Sequence, residues 1–233
     1  MKKMTTLVTF ALTVTLATAS PPPPSGGGGV QQVDRIYDFG EIGIDFYVYH
    51  DFMLVNLSDA PVKLDSVIAD CECSRVWVPD STIMPGDTGR ITLRFHSKNY
   101  YGKTSKAMQV YTDNPVSPKL EYFYLSMVGQ WLMGIKPDPI SVFFLPSHAS
   151  RTLTISNPVL ERIKLSEMEQ HDDLVQIRVV QAEAGKGKSL ELEVTPRDGL
   201  QKGTYESNFR VTVELGGDYE PVRMTLPVKI VRY

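Results

Sequence analysis

The sequence carries one pattern of strands twice, and this limits what the chain can fold into more than any other feature. Phe52, Leu54, Asn56 and Leu64 of DFMLVNLSDAPVKL correspond to Leu153, Ile155, Asn157 and Leu165 of RTLTISNPVLERIKL. Further along, GRITLRF and YGKTSKAMQVY are echoed by KSLELEV and KGTYESNFRVTV, which sets Gly102 against Gly203 and Val110 against Val211. Apolar and polar residues alternate in these segments, as in strands with one buried face. A repeat of whole-domain size built from such strands predicts two copies of one small β fold. The expected fold class is all-β, with two tandem Ig-like antiparallel β-sandwiches over residues 31–133 and 134–233.

The ends of the chain suggest where it works. Lys2 and Lys3 precede an uncharged, largely apolar run from Met4 to Ala19, which closes with Ala17-Thr18-Ala19. This order predicts a secretory signal peptide over residues 1–19. The run is short for a membrane span, which needs about 20 residues, so no span is expected after cleavage. No cysteine follows it, which excludes lipid attachment to a new N-terminal cysteine. Pro21 to Pro24 and Gly26 to Gly29 make residues 20–30 a linker that cannot bury a core. The expected location is periplasmic or secreted. A formal net charge of -3 with both signs mixed argues against a nucleic-acid partner.

Gly, Pro, Asn and Asp punctuate the strands throughout. In RITLRF, Ile91, Leu93 and Phe95 face one way while Thr92 and Arg94 face the other. LERIKLSEMEQHDDL comes nearest to a helical period, but the repeat aligns it with the strand of Val62 and Leu64 and so predicts a strand. GIKPDP, Gly134 to Pro139, breaks strand character and is the expected joint. Trp131 and Leu132 just before it suggest that the two domains pack against each other.

An ordered set of residues in the first half resembles a known family. The set is Asp38-Phe39-Gly40, Asn56, Cys71-Glu72-Cys73-Ser74, Met84-Pro85-Gly86, Gly102 and Thr112-Asp113-Asn114-Pro115. It is similar to a bacterial exported domain-of-unknown-function family with a Cys-x-Cys turn, allied in fold to the ASH/Hydin and major-sperm-protein modules. The resemblance implies an Ig-like module of the interaction kind, with no activity to carry over. Glu72 stands where that family has glycine and Ser74 where it has threonine. A positive φ at Glu72 would therefore carry strain. The second half lacks both cysteines and reads as a degenerate Ig-like copy.

Cys71 and Cys73 are the only cysteines. In an extended strand their Cα atoms would lie about 7 Å apart, too far for an easy disulfide, although a tight turn would shorten the distance and an oxidising compartment would favour the bond. Two thiolates on one face could instead hold Cu(I) or Zn(II), with His96 or His50 as a third ligand. Such a site is incomplete without a second cysteine pair. Ala182 to Ser189 loosely matches a phosphate loop, but SLELEV follows as a strand, so a hairpin turn is the expected context. Glu167, Glu169, His171, Asp172 and Asp173 lack calcium-loop spacing and read as a solvated loop. Trp77 reads as core or partly exposed packing. Tyr47 with Tyr49 and Tyr100 with Tyr101 are candidates for a contact surface.

No nucleophile elbow or His-Glu-x-x-His motif is present, so neither an enzyme nor a cofactor is expected. The leading expectation is a binding or structural module of the cell envelope that contacts another protein, with an exposed edge strand as the candidate contact. The alternatives are a metal- or thiol-handling protein centred on Cys71 and Cys73, and a carbohydrate-binding accessory module that uses exposed Trp or Tyr.

Overall fold

The computed structural model describes residues 28–233. The expected signal peptide and the linker as far as residue 27 lie outside the described residues. The first half contains strands β1 (Val30–Gln32), β2 (Ile36–Ile42), β3 (Tyr47–Asn56), β4 (Val62–Ala69) and β5 (Ser74–Trp77). It continues with β6 (Thr82–Ile83), β7 (Thr88–His96), β8 (Gly102–Thr112) and β9 (Lys119–Val128). After a 3-10 turn at Leu132–Gly134 come β10 (Pro137–Asp138), β11 (Val142–Phe144), β12 (Arg151–Asn157) and β13 (Arg162–Gln170). The remaining strands are β14 (Val175–Gln181), β15 (Glu183–Gly185), β16 (Lys188–Pro196), β17 (Gly203–Glu214) and β18 (Val222–Arg232). Among the described residues no helix is long and apolar enough to cross a membrane.

The strands form two four-stranded sheets, β1-β3-β7-β5 and β10-β12-β16-β14, and one long sheet that runs through both halves of the chain. Buried apolar residues form two clusters. One combines Phe52, Leu54, Ile91 and Leu93 of the first small sheet with Phe39, Met108, Val110 and Tyr122 of the long sheet. The other combines Leu153, Ile155, Leu190 and Leu192 with Phe209, Val211, Met224 and Leu226. In each cluster alternate residues of facing sheets meet, which is the sandwich arrangement the alternation predicts. Most pairings are antiparallel. The exceptions are β2 with β9, β11 with β18, and the single β2–β18 bridge, all parallel. β2 and β11 each lie beside the last strand of their own half, which accounts for the first two.

Repeated residues have repeated roles. Asn56 Nδ2 donates to the carbonyls of Ala60 and Ile83 at 2.8 and 2.9 Å. Asn157 Nδ2 donates to those of Leu160 and Ala184 at 2.8 and 3.0 Å. Their own carbonyls accept from Gly86 N and Gly187 N. Leu64 N donates to Ser81 and Leu165 N to Ala182, and a register shift follows each leucine. Each asparagine thus pins the turn after one strand to a distant strand, and a buried amide serves this well because it can both donate and accept.

Three expectations need correction. Gly187 does make a left-handed turn, but β15 pairs with β13 and β16 with β12 and β14, so the segment crosses between sheets and is not a hairpin. Glu167 and Glu169 lie on β13, not in a loop, because they face Thr212 and Arg210 of β17. The joint also holds strand structure, since Pro137–Asp138 pairs with β12.

The halves meet along β2. Thr225 Oγ1 donates to the Phe39 carbonyl at 2.5 Å, and Arg210 Nη1 donates to the Asp38 carbonyl at 2.6 Å. Arg210 also pairs with Glu169 and lies 4.5 Å over the Tyr37 ring, which stacks on His50 at 3.5 Å. Burial pushes the His50 imidazole down to about 3, so it stays neutral there. Asn208 Oδ1 accepts from Tyr49 N at 2.5 Å, capping the part of the β3 edge that β1 does not reach. Glu41 Oε1 accepts from Leu132 N at 2.7 Å, while its buried Oε2 has no partner. Burial pushes this carboxyl up from 4.5 to about 7.

Two outcomes are expected. Asn157→Ala removes the buried amide's bonds to the Leu160 and Ala184 carbonyls and lowers unfolding free energy in urea by about 2–3 kcal/mol. For Glu41, the folded protein holds the proton more tightly than the unfolded chain. Its stabilising contribution is therefore full below pH 4.5 and lost as pH rises through about 7. Glu41→Gln imitates the protonated acid, so melting curves across that window should show wild type losing Tm relative to the variant. Parallel curves would contradict this assignment.

Candidate functional site

The cysteine pair sits at a corner, not in a strand. Ser74 N donates to the Cys71 carbonyl at 3.2 Å, which folds Cys71-Glu72-Cys73 into a tight turn. The turn brings the two Cα atoms to 5.1 Å, and the sulfurs are joined in a disulfide. Glu72 is not among the residues with positive φ, so it reaches this turn without the strain that a left-handed backbone would impose.

Beneath the disulfide lies a buried pair of hydroxyls. Ser74 Oγ is 3.4 Å from Cys71 Sγ and 3.7 Å from Cys73 Sγ, and it is hydrogen-bonded to Tyr124 Oη. Burial pushes the Tyr124 phenol up, so it keeps its proton. Cys71 and Cys73 line an open cleft of about 430 Å³ together with Glu72, His96, Lys98, Asn99 and Tyr100. The corner feeds directly into β5, and the Cys73 carbonyl accepts from His96 N at 2.8 Å.

β5 pairs with β7 alone and is an edge of its sheet. In this register Arg75 and Trp77 point their backbone groups at β7, while those of Val76 face the open side. Trp77 is 45% exposed. The Arg94 guanidinium lies 5.3 Å from its ring and 4.4 Å from the Tyr47 ring, and Tyr47 stacks on His96 at 4.1 Å. The result is a continuous row of aromatic and cationic groups on the outer face of the sheet.

The expected metal ligands are not assembled as a set. With both sulfurs in a disulfide the pair presents no thiolate. His96 Nε2 is engaged with Asp45 Oδ1 at 2.9 Å, and His50 lies inside the sandwich against Tyr37 and Phe52. Among the described residues no group of three or more His, Cys, Asp or Glu is arranged to hold a metal ion. Of the tyrosines singled out, Tyr47 joins the outer row, while Tyr49 turns to the second half and donates to Glu206 at 3.1 Å. The Ser74–Tyr124 pair and Arg94 escaped sequence reasoning. Only the register of β5, β7 and β9 brings them to the corner, although the outward position of Arg94 in RITLRF was a partial signal.

Residues 30–126 match the family described as "Protein of unknown function (DUF1573)", so the resemblance read from the ordered motifs holds over the first half. No curated protein matches the chain. A protein of unknown function from Porphyromonas gingivalis W83 is similar at 11% identity and a TM-score of 0.35, over 88% of this chain and 100% of that one. The human CEP192 ASH/PapD-like domain is similar at 10% identity and a TM-score of 0.35, over 52% of this chain and 97% of its own. SSP-19, an MSP-domain protein of Caenorhabditis elegans, is similar at 15% identity and a TM-score of 0.35, over 42% and 99%.

The geometry at the corner sets an expected thiol count. Protein purified without reductant and then unfolded in guanidinium should show no thiol with a chromogenic disulfide reagent, and two after reduction. Free thiols before reduction would rule out the disulfide.

Proposed function

We propose that this chain is an exported, non-catalytic binding module of the cell envelope that holds an extended segment of another protein against β5. The observation that carries this reading is the open edge of β5 beside the Trp77–Arg94–Tyr47 row. An unpaired strand edge supplies backbone hydrogen bonds to an added strand, and alternate side chains of that strand would meet the flanking residues. Trp, Tyr and Arg are the residues that most often carry binding energy at protein interfaces. Support for export comes from the signal-peptide pattern of residues 1–19. A match to a family without assigned activity is compatible with an interaction role.

The reading is tested by placing a photo-crosslinking residue at exposed Arg75 in the full chain expressed in its native host. A discrete protein adduct is expected, and Trp77→Ala or Arg94→Ala should reduce it about tenfold or more. Adducts no stronger than those from a crosslinker at Lys202, far along the second half, would overturn the proposal.

A further inference from the structure

We infer that the Cys71–Cys73 disulfide is a thiol–disulfide exchange site, reduced in the folded protein by a dithiol donor. Three observations meet here, and none of them depends on the binding role of β5.

The first is access. Both cysteines are partly exposed and line the 430 Å³ cleft, which gives an incoming thiolate a path to the disulfide without unfolding. Lys98 in the cleft lining offsets the Glu72 carboxylate, so charge does not bar an anionic nucleophile.

The second is the small structural duty of the bond. Disulfides stabilise mainly by closing long loops in the unfolded chain, and this one joins cysteines two apart in sequence. The corner is also held without it, by the Ser74 N–Cys71 carbonyl bond and by the pairing of β5 with β7. Opening the disulfide therefore leaves the sandwich standing.

The third is the buried hydroxyl pair. Ser74 and Tyr124 are almost wholly buried, yet Ser74 Oγ lies within reach of both sulfurs. Either hydroxyl can donate in the Ser74–Tyr124 bond. The Tyr124 phenol keeps its proton, so once a thiolate forms it can donate to Ser74 and leave the Ser74 hydroxyl hydrogen for sulfur. A disulfide sulfur is a poor acceptor, whereas a thiolate is a strong one. The pair is thus placed for a charge that exists only after the disulfide opens.

The exchange balances as follows. A donor thiolate attacks one sulfur, the Cys71–Cys73 bond breaks, and a bond forms between donor and protein. The departing sulfur leaves as a thiolate and accepts the Ser74 hydrogen bond. Its position within reach of the same hydroxyl does not depend on which sulfur was attacked. The second thiolate of the donor then attacks the mixed disulfide and departs as the oxidised donor. Two electrons and two protons pass to the cysteines in total.

The test uses the oxidised full chain in native buffer with dithiothreitol as the dithiol, and mass spectrometry after alkylation to follow thiol formation. Reduction is expected without denaturant, at a rate within about tenfold of that in guanidinium, with the far-ultraviolet circular dichroism unchanged. Ser74→Ala should slow the native reaction about tenfold, Ser74→Thr should restore it, and Tyr124→Phe should slow it by a smaller factor. Should Ser74→Ala fail to fold, the Tyr124→Phe rate decides. Resistance to reduction until the protein unfolds would overturn the proposal and leave a structural disulfide only. A Ser74→Ala or Tyr124→Phe rate equal to wild type would overturn it as well.

Discussion

The strand Ile36–Ile42 is the element on which the rest of the structure depends. It lies between β9 and β18 and makes one long sheet of strands from both halves. Its pairing shifts register between Asp38 and Glu41, where Gly40 takes a φ of +69°. A side chain at Gly40 would collide with the Arg223 carbonyl, so the close approach of β18 requires glycine there. On one side of this kink Phe39 enters the first cluster. On the same stretch the Phe39 and Asp38 carbonyls accept from Thr225 and Arg210 of the second half. A single short strand thus fills one core and supplies hydrogen-bond acceptors to the other half.

The contact between the halves differs in chemistry from the two cores. Apolar alternation builds each cluster, whereas the seam is made of an arginine, two histidines, tyrosines, an asparagine and a buried carboxyl. Such groups are costly to bury unless each finds a partner. Most do so through precise geometry, as Asn208 does with Tyr49 N and Arg210 with Asp38 and Glu169. Glu41 is the group left partly unmatched, and its raised pKa measures that cost. Through Glu41 the seam makes a contribution to stability that depends on pH.

The strands were legible because burial of one face imposes a period of two, and Ile91, Leu93 and Phe95 display it without ambiguity. The paired asparagines were legible as repeated letters, although their shared role in tying a turn to a distant strand was not. The corner was left open between an extended pair and a tight turn, because alternation cannot reveal that Cys71-Glu72-Cys73 leaves the strand path. That bend depends on a bond between Ser74 and Cys71 and on the docking of Ser74 over Tyr124, fifty residues away. The seam was illegible for the same reason. Arg210, Asn208 and Thr225 look like ordinary outward residues of strands until β2 and β3 are laid against them.

The capping of β3 by Asn208 bears on where the first small sheet can be extended. A sheet with two free edges can add copies on both sides and grow without limit. On the first small sheet, β3 is sealed by a side chain from the same molecule, and β1 is tied down through Ser117 and Gln32. Among the described residues no such side-chain cap lies on the outer side of β5, which leaves that edge the more accessible of the two.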